Sequence, residues 1–280
     1  MVMNELYGQT CSCCHHDHPR NEASVSASFT PELMARLLAD IYAKTFNVEE
    51  DIYPELYEAA RDTFERALQE GYPIENVDDA DTLFRQALKD DADVFAAFRT
   101  HRMQNDIASQ LLDEDGRLKE FRQFREDVES IIGTYNNAWL QTEYDTAVLR
   151  ARQAADWKVF ERNADILPNL RWLPTTSAEP DPAHREYWSI RLTLPVTSTF
   201  WQRHHPGDRW NCKCDLEQTD DQVTQGVPVA DYEPSPGLEN NPGLDPKLFS
   251  RKHPYYENAY PGADEAVQKL LKRYLNDENN

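Results

Sequence analysis

Glycine is scarce in this chain, with nine in 280 residues. That leaves too little for phosphate-cradling loops, and no dinucleotide glycine pattern, nucleophile elbow or His-Glu-x-x-His helix is present. Basic residues are also in deficit: 29 Lys and Arg stand against 50 Asp and Glu, a net charge of -21. A general nucleic-acid clamp lined with cations is therefore excluded, and no sequence-specific nucleic-acid partner is expected. No run approaches the roughly 18 consecutive apolar residues of a membrane span, and the start has no basic region followed by an apolar one. The expectation is a soluble, unexported protein with no membrane partner. Cysteine is limited to five residues, an odd number that argues against a disulfide scaffold and leaves metal ligands or free thiols. What is present is packing material: 40% hydrophobic residues, including 11% aromatics, enough to bury a core.

Proline divides the chain. None of the seventeen falls between Ile74 and Leu167, and thirteen lie from Pro168 onward. Because proline removes a backbone donor and clashes inside helices, the reading is α+β: a mainly helical N-terminal half, then a small antiparallel sheet and a long irregular C-terminal segment. The first helix starts at Thr30 as N-cap with Pro31 next, Phe29 is placed to staple against Met34, and Leu33, Leu37 and Ile41 share its apolar face. A second runs from Pro54 to a stop at Gly71. Further helices are expected over 81–100, 104–112 and 118–132, with the longest over 136–163.

After Pro168 the period changes. Trp188, Ile190, Leu192 and Leu194 alternate with polar residues, which predicts a half-buried strand, and Arg171 to Leu173 forms a short partner. Residues 225–261 carry Pro236-Gly237, Asn241-Pro242-Gly243 and Pro261-Gly262, so this segment is expected to wrap a surface and not to build a core. A final amphipathic helix over 263–275 carries Val267, Leu270, Leu271 and Tyr274, and its end is expected to fray.

The cysteines fall in two clusters. An extended backbone through Cys212-Lys213-Cys214 puts both sulfurs on one side, where one Zn²⁺ can collect them. Two more ligands are needed for a tetrahedron, and His184, His204, His205 and Asp208 are the candidates. The alternative is that Cys212 and Cys214 are small packing residues beside Trp210. At the other end, Cys11, Cys13, Cys14, His15, His16, Asp17 and His18 form a tract rich in metal-ligand types but without a complete zinc-finger spacing. It is either a flexible tail, a second metal tract, or a donor of ligands to the Cys212-Cys214 pair.

Three pieces in order resemble the Mu F-type phage head morphogenesis family, the minor head proteins of tailed bacteriophages. They are Thr142-Glu143-Tyr144 with Ala147, Ala151-Arg152 and Trp157; Asp181-Pro182-Ala183-His184; and Phe200-Trp201, then Pro206, Gly207 and Trp210-Asn211-Cys212-Lys213-Cys214. Asp181 stands where the family often has Arg. Pattern alone divides the rest of the chain into a Cys/His-rich flexible tail over 1–28, a helical region over 29–135, and a proline-rich wrapping segment with a terminal helix over 219–280, and the resemblance implies a head morphogenesis domain over 136–218. It implies a structural, non-enzymatic capsid component of the virion, assembled in the bacterial host cytoplasm. Its partners are the portal protein and major capsid or scaffold proteins, and its role is in head morphogenesis and DNA packaging or delivery. The resemblance carries over His184, Cys212 and Cys214 as the corner that a structural Zn²⁺ would hold, and with His205, read from its nearness in sequence, they are the expected ligands. Two rival readings are a zinc-dependent hydrolase, with Glu179, Asp181 or Glu186 as general base, and a toxin-like effector.

Overall fold

The structure is a computed structural model that describes residues 3, 6, 7, 29–176, 181–226 and 232–278. The architecture is α+β. Helix α1, Pro31–Ala43, begins where its start signals predict, with the Thr30 hydroxyl accepting from Leu33 N at 3.2 Å. It ends at Lys44, which takes a left-handed conformation (φ 53°) and donates back to the carbonyls of Asp40 and Ile41. Helix α2 spans Pro54–Gly71. Helix α3, Thr82–Ala108, is one element and the longest, where a break after residue 100 was expected. The polar run there does not mark an end, because it is buried and bonded. Gln104 donates to the carbonyls of Val48 and Asp51, and Asn105 to Val48, so these side chains satisfy a loop.

Helix α4 spans Phe121–Gly133. Leu118, expected inside it, instead pairs with Leu112 in an isolated bridge. A π-helical turn, Thr134–Trp139, leads into helix α5, Leu140–Asn163. Strand β1, Asn169–Leu173, is central in a three-stranded antiparallel sheet with order β2-β1-β3, where β2 is Thr193–Pro195 and β3 is Asp215–Thr219. On one side of the sheet Arg171 lies across from Glu217 and pairs with it at 2.6 Å.

The alternation through Trp188 and Ile190 is not a strand. Pro182–Ser189 is helix α6, with the Asp181 carboxylate accepting from Ala183 N at 2.9 Å and Pro182 in the first turn. Asp followed by Pro is a helix start, and this local signal overrides the period-two pattern. Only Thr193–Pro195 of the expected strand is extended in the sheet. The chain ends in the short helix α7, Pro254–Glu257, and α8, Ala263–Glu278. Among the described residues no helix is long and apolar enough to cross a membrane.

The chain divides into two compact units, and neither is continuous in sequence. One gathers Ala67–Asp91 and Asp145–Pro254 of the described chain with Met3, Leu6 and Tyr7. The other gathers 29–66, Ala92–Tyr144 and 255–278. This division cuts across the four consecutive segments read from the sequence. The first unit's core is aromatic: Trp157 of α5, Trp172 of β1, Tyr187 of α6 and Trp201 pack with Leu170, Leu192, Leu194 and Cys214. A fully buried Trp removes on the order of 200 Å² from water, about 5 kcal/mol of gross hydrophobic stabilisation each. The 232–253 segment is irregular, as its prolines predict, yet Leu238, Leu248 and Phe249 are fully buried, so it forms core and does not merely cover one. Its carbonyls are held by Arg150 of α5, a fully buried guanidinium that donates to Leu248 O, Asn240 O, Asn240 Oδ1 and Gly207 O at 2.6–2.9 Å. In the second unit a buried ion pair joins Arg99 of α3 to Glu143 of α5 at 2.7 Å, and Tyr255 of α7 donates to the other Glu143 oxygen at 2.6 Å.

Candidate metal centre

Three elements of the first unit bring the site together. Helix α6 carries His184, one turn in from the Asp181 cap. The turn that precedes β3 carries Cys212 and Cys214, and Asn211 enters it with a left-handed backbone (φ 61°), a conformation that Asn tolerates better than most residues. The third element is the loop holding Asp208.

His184 Nδ1 lies 3.4 Å from Cys212 Sγ and 3.6 Å from Cys214 Sγ, and the three ligand atoms all fall within 4.8 Å of one another. A tetrahedral Zn²⁺ with Zn–S near 2.3 Å and Zn–N near 2.05 Å separates N from S by about 3.6 Å. The spacing is that of three ligands around one ion, so the cluster can hold a metal. His184 and Cys214 are buried, at 1% and 2% exposure, and Cys212 is half-buried.

The imidazole is already oriented for ligation. His184 Nε2 donates to Asp208 Oδ1 at 2.7 Å, and Tyr232 OH donates to Asp208 Oδ2 at 2.9 Å. A carboxylate on Nε2 keeps a proton there, so Nδ1 is the nitrogen left for a metal, and it faces the two sulfurs. Both members of the His184–Asp208 pair are buried. Burial works against their charges, but each holds the other: Asp208, with the Cys212 sulfur behind it, raises His184 well above the ordinary imidazole range, and His184 keeps Asp208 far below the carboxylate range. Between the sulfurs, the hydrogen bond to Cys214 together with burial pushes the Cys212 thiol up, and the same bond brings Cys214 down. Ligation requires both sulfurs as thiolates, and of the two Cys214 gives up its proton the more readily.

Of the residues singled out in the sequence, His184, Cys212 and Cys214 meet here. His205 does not belong to the cluster. Its ring nitrogens face the carbonyls of Pro206 and Asn240 at 2.6 and 3.1 Å, and burial together with the Arg150 guanidinium lowers it to about 4. Adjacent residues on an irregular turn point apart, and His205 is spent on the 240–248 segment. His204 stands at the far oxygen of Asp208, 3.7 Å away. Cys11, Cys13, Cys14, His15, His16 and His18 lie outside the described residues. Of the carboxylates considered as general bases, Asp181 caps α6 and faces Arg209 at 3.8 Å, Glu186 is exposed, and Glu179 lies outside the described residues. Tyr232 was not foreseen: it sits eighteen residues beyond Cys214 in an irregular segment, and no sequence signal ties it to Asp208.

Beside the triad is an open cavity of about 590 Å³, lined among others by Cys212, Asn211, Lys213, Arg152, Thr176 and Asp145. No family model matches the chain, and the searches of curated proteins and of solved structures return no match.

Proposed function

We propose that this protein is a minor head protein of a tailed phage, portal-associated and structural, and that its metal centre binds Zn²⁺ and holds the loop-rich part of its head morphogenesis domain. The observation that carries the reading is the meeting of the three segments on which the resemblance rests. Trp157 of α5 packs in one core with Cys214, and His184 of α6 stands against both sulfurs. One folded corner of this kind is what a single motif spread over three segments would describe, and that supports the reading.

A metal suits that corner physically. The polypeptide from 203 to 214 has no helix or strand, so it has few backbone ladders of its own. Ligation supplies the missing folding free energy and fixes the turn that launches β3. The acidic surface, with its net charge of -21, keeps such a protein off packaged DNA and favours a partner with complementary basic patches.

The test is the composition of assembling heads. Portal isolated from infected cells by a tag on the portal should carry this protein at a few copies per assembly, and purified virions should contain it. Its absence from both would overturn the head reading. Elemental analysis of the purified chain should give about one zinc, lost in Cys214→Ser; a metal-free chain with unchanged melting temperature in that variant would overturn the metal reading.

A further inference from the structure

We infer that the described residues leave the metal centre open on its fourth side, and that this fourth coordination position opens onto the neighbouring cavity and takes a small anion. This rests on the metal reading above and goes beyond a structural staple. Three observations carry it.

The first is the donor count. Among the described residues, the groups that can ligate one ion together are His184, Cys212 and Cys214. The nearest further candidates are committed elsewhere: Asp208 accepts from His184 Nε2 and from Tyr232, so it lies behind the imidazole and not beside the sulfurs, and His205 faces two backbone carbonyls. A tetrahedral ion with three protein ligands keeps one position for an exogenous group.

The second is the direction of access. His184 and Cys214 are buried, whereas Cys212 is both a member of the triad and part of the wall of the 590 Å³ cavity. The route from solvent to the ion therefore passes along Cys212.

The third is the chemistry of that wall. Asn211 lines the cavity, and its Nδ2 is buried with no hydrogen-bond partner among the described residues. An unmet amide donor next to a ligand-bearing cysteine calls for an acceptor. Lys213, on the other side of Cys212, is exposed on the same wall and makes no ion pair with a described residue. The other cation there, Arg152, is partly offset by Asp215 at 3.8 Å, and Asp145 adds one negative charge. Two thiolates and a neutral imidazole cancel the charge of a divalent ion, so an anion approaching the fourth position meets no net repulsion from the centre and finds the Lys213 cation on the cavity wall. A small carboxylate, azide or phosphate-sized oxyanion has the matching chemistry.

The experiment uses the full chain reconstituted with Co²⁺ under exclusion of oxygen, with azide as the probe. The expected result is one Co²⁺ per chain with the visible bands of a tetrahedral thiolate site, and a saturable change in those bands as azide is added. Lys213→Ala should leave Co²⁺ binding intact and weaken azide by about twofold to fivefold, the scale of an exposed charge contact. Tetrahedral bands that azide does not move would overturn the inference and leave the metal reading standing, because the fourth ligand would then be a protein group. Failure of the chain to bind Co²⁺ at all would overturn both. In Asn211→Ala, which tests the unmet donor separately, azide affinity should also fall; an unchanged affinity in both variants would overturn the part assigned to the cavity wall.

Discussion

Arg150→Met is the most informative single change outside the metal ligands. The guanidinium is fully buried and donates to three backbone carbonyls, Leu248, Asn240 and Gly207, and to the Asn240 side chain. It has no carboxylate on it, and burial lowers it to about 10, against attraction from Asp208 and more distant acids. Replacing it with Met keeps the volume of the stem and removes every donor. Each stranded buried carbonyl costs about 1–3 kcal/mol. Removing a charge that burial already disfavours returns about 3 kcal/mol. The balance is a net loss of about 3 kcal/mol, concentrated in residues 232–253 and in the loop of Gly207, which leads into Asp208. Two measurements check it: chemical denaturation followed by tryptophan fluorescence, and limited proteolysis mapped by mass spectrometry. Cleavage should appear first in the 232–253 segment. Metal affinity should fall as well, since Asp208 orients His184. A loss of stability under about 1 kcal/mol, with the segment no easier to cleave, would refute the account of Arg150 as the residue that organises this irregular chain.

Asp208→Asn keeps an acceptor for His184 but removes the charge, and zinc affinity measured by competition with a chromophoric chelator should drop about 10- to 100-fold; Tyr232→Phe should cost less. Glu143→Gln strands the Arg99 guanidinium in a pair whose side chains are both 0% exposed, so urea unfolding should show a loss of about 3–5 kcal/mol. Asp91 is buried and raised to about 6, chiefly by burial against the pull of Arg251. With a folded value above the unfolded one, its contribution is fully present below about pH 4 and is lost as pH rises through about 6. Asp91→Asn should therefore flatten the stability profile over that window and stabilise the chain at pH 7 by up to about 3 kcal/mol, with Leu248 N still finding an amide oxygen; a profile parallel to the parent would contradict this.

Where the chemistry of an element is local, it can be read along the chain. Thr30-Pro31 and Pro54 open helices, and Gly71 closes one, because capping and proline geometry depend on near neighbours only. Arg171 to Leu173 belongs to a strand for the same reason. The misreadings are places where a local signal competed with a pattern, or where a distant partner changed the meaning of a residue. Asp181-Pro182 starts a helix inside an alternating stretch. Polar Gln104 and Asn105 continue a helix because the 47–53 loop needs their amides. Proline marked the 225–261 segment as irregular, but the expectation that it wraps a surface without building core failed, since nothing near it in sequence foretells that Arg150 collects its carbonyls.

The candidate site divides along the same line. Cys212 and Cys214 declare themselves through spacing, because residue type and short separation are properties of the chain alone, while among the histidines only the resemblance singled out His184. Which histidine joins the sulfurs is a property of space. His184 and His205 are equally plausible donors along the polypeptide, and the packing of α6 against β1 and the pre-β3 turn brings one Nδ1 to 3.4 and 3.6 Å while the other ring turns to backbone carbonyls. The carboxylate that orients the imidazole and the cavity beside Cys212 likewise exist only once segments dozens of residues apart share one core, since a coordination geometry is set by distances between atoms and not by their order in the chain.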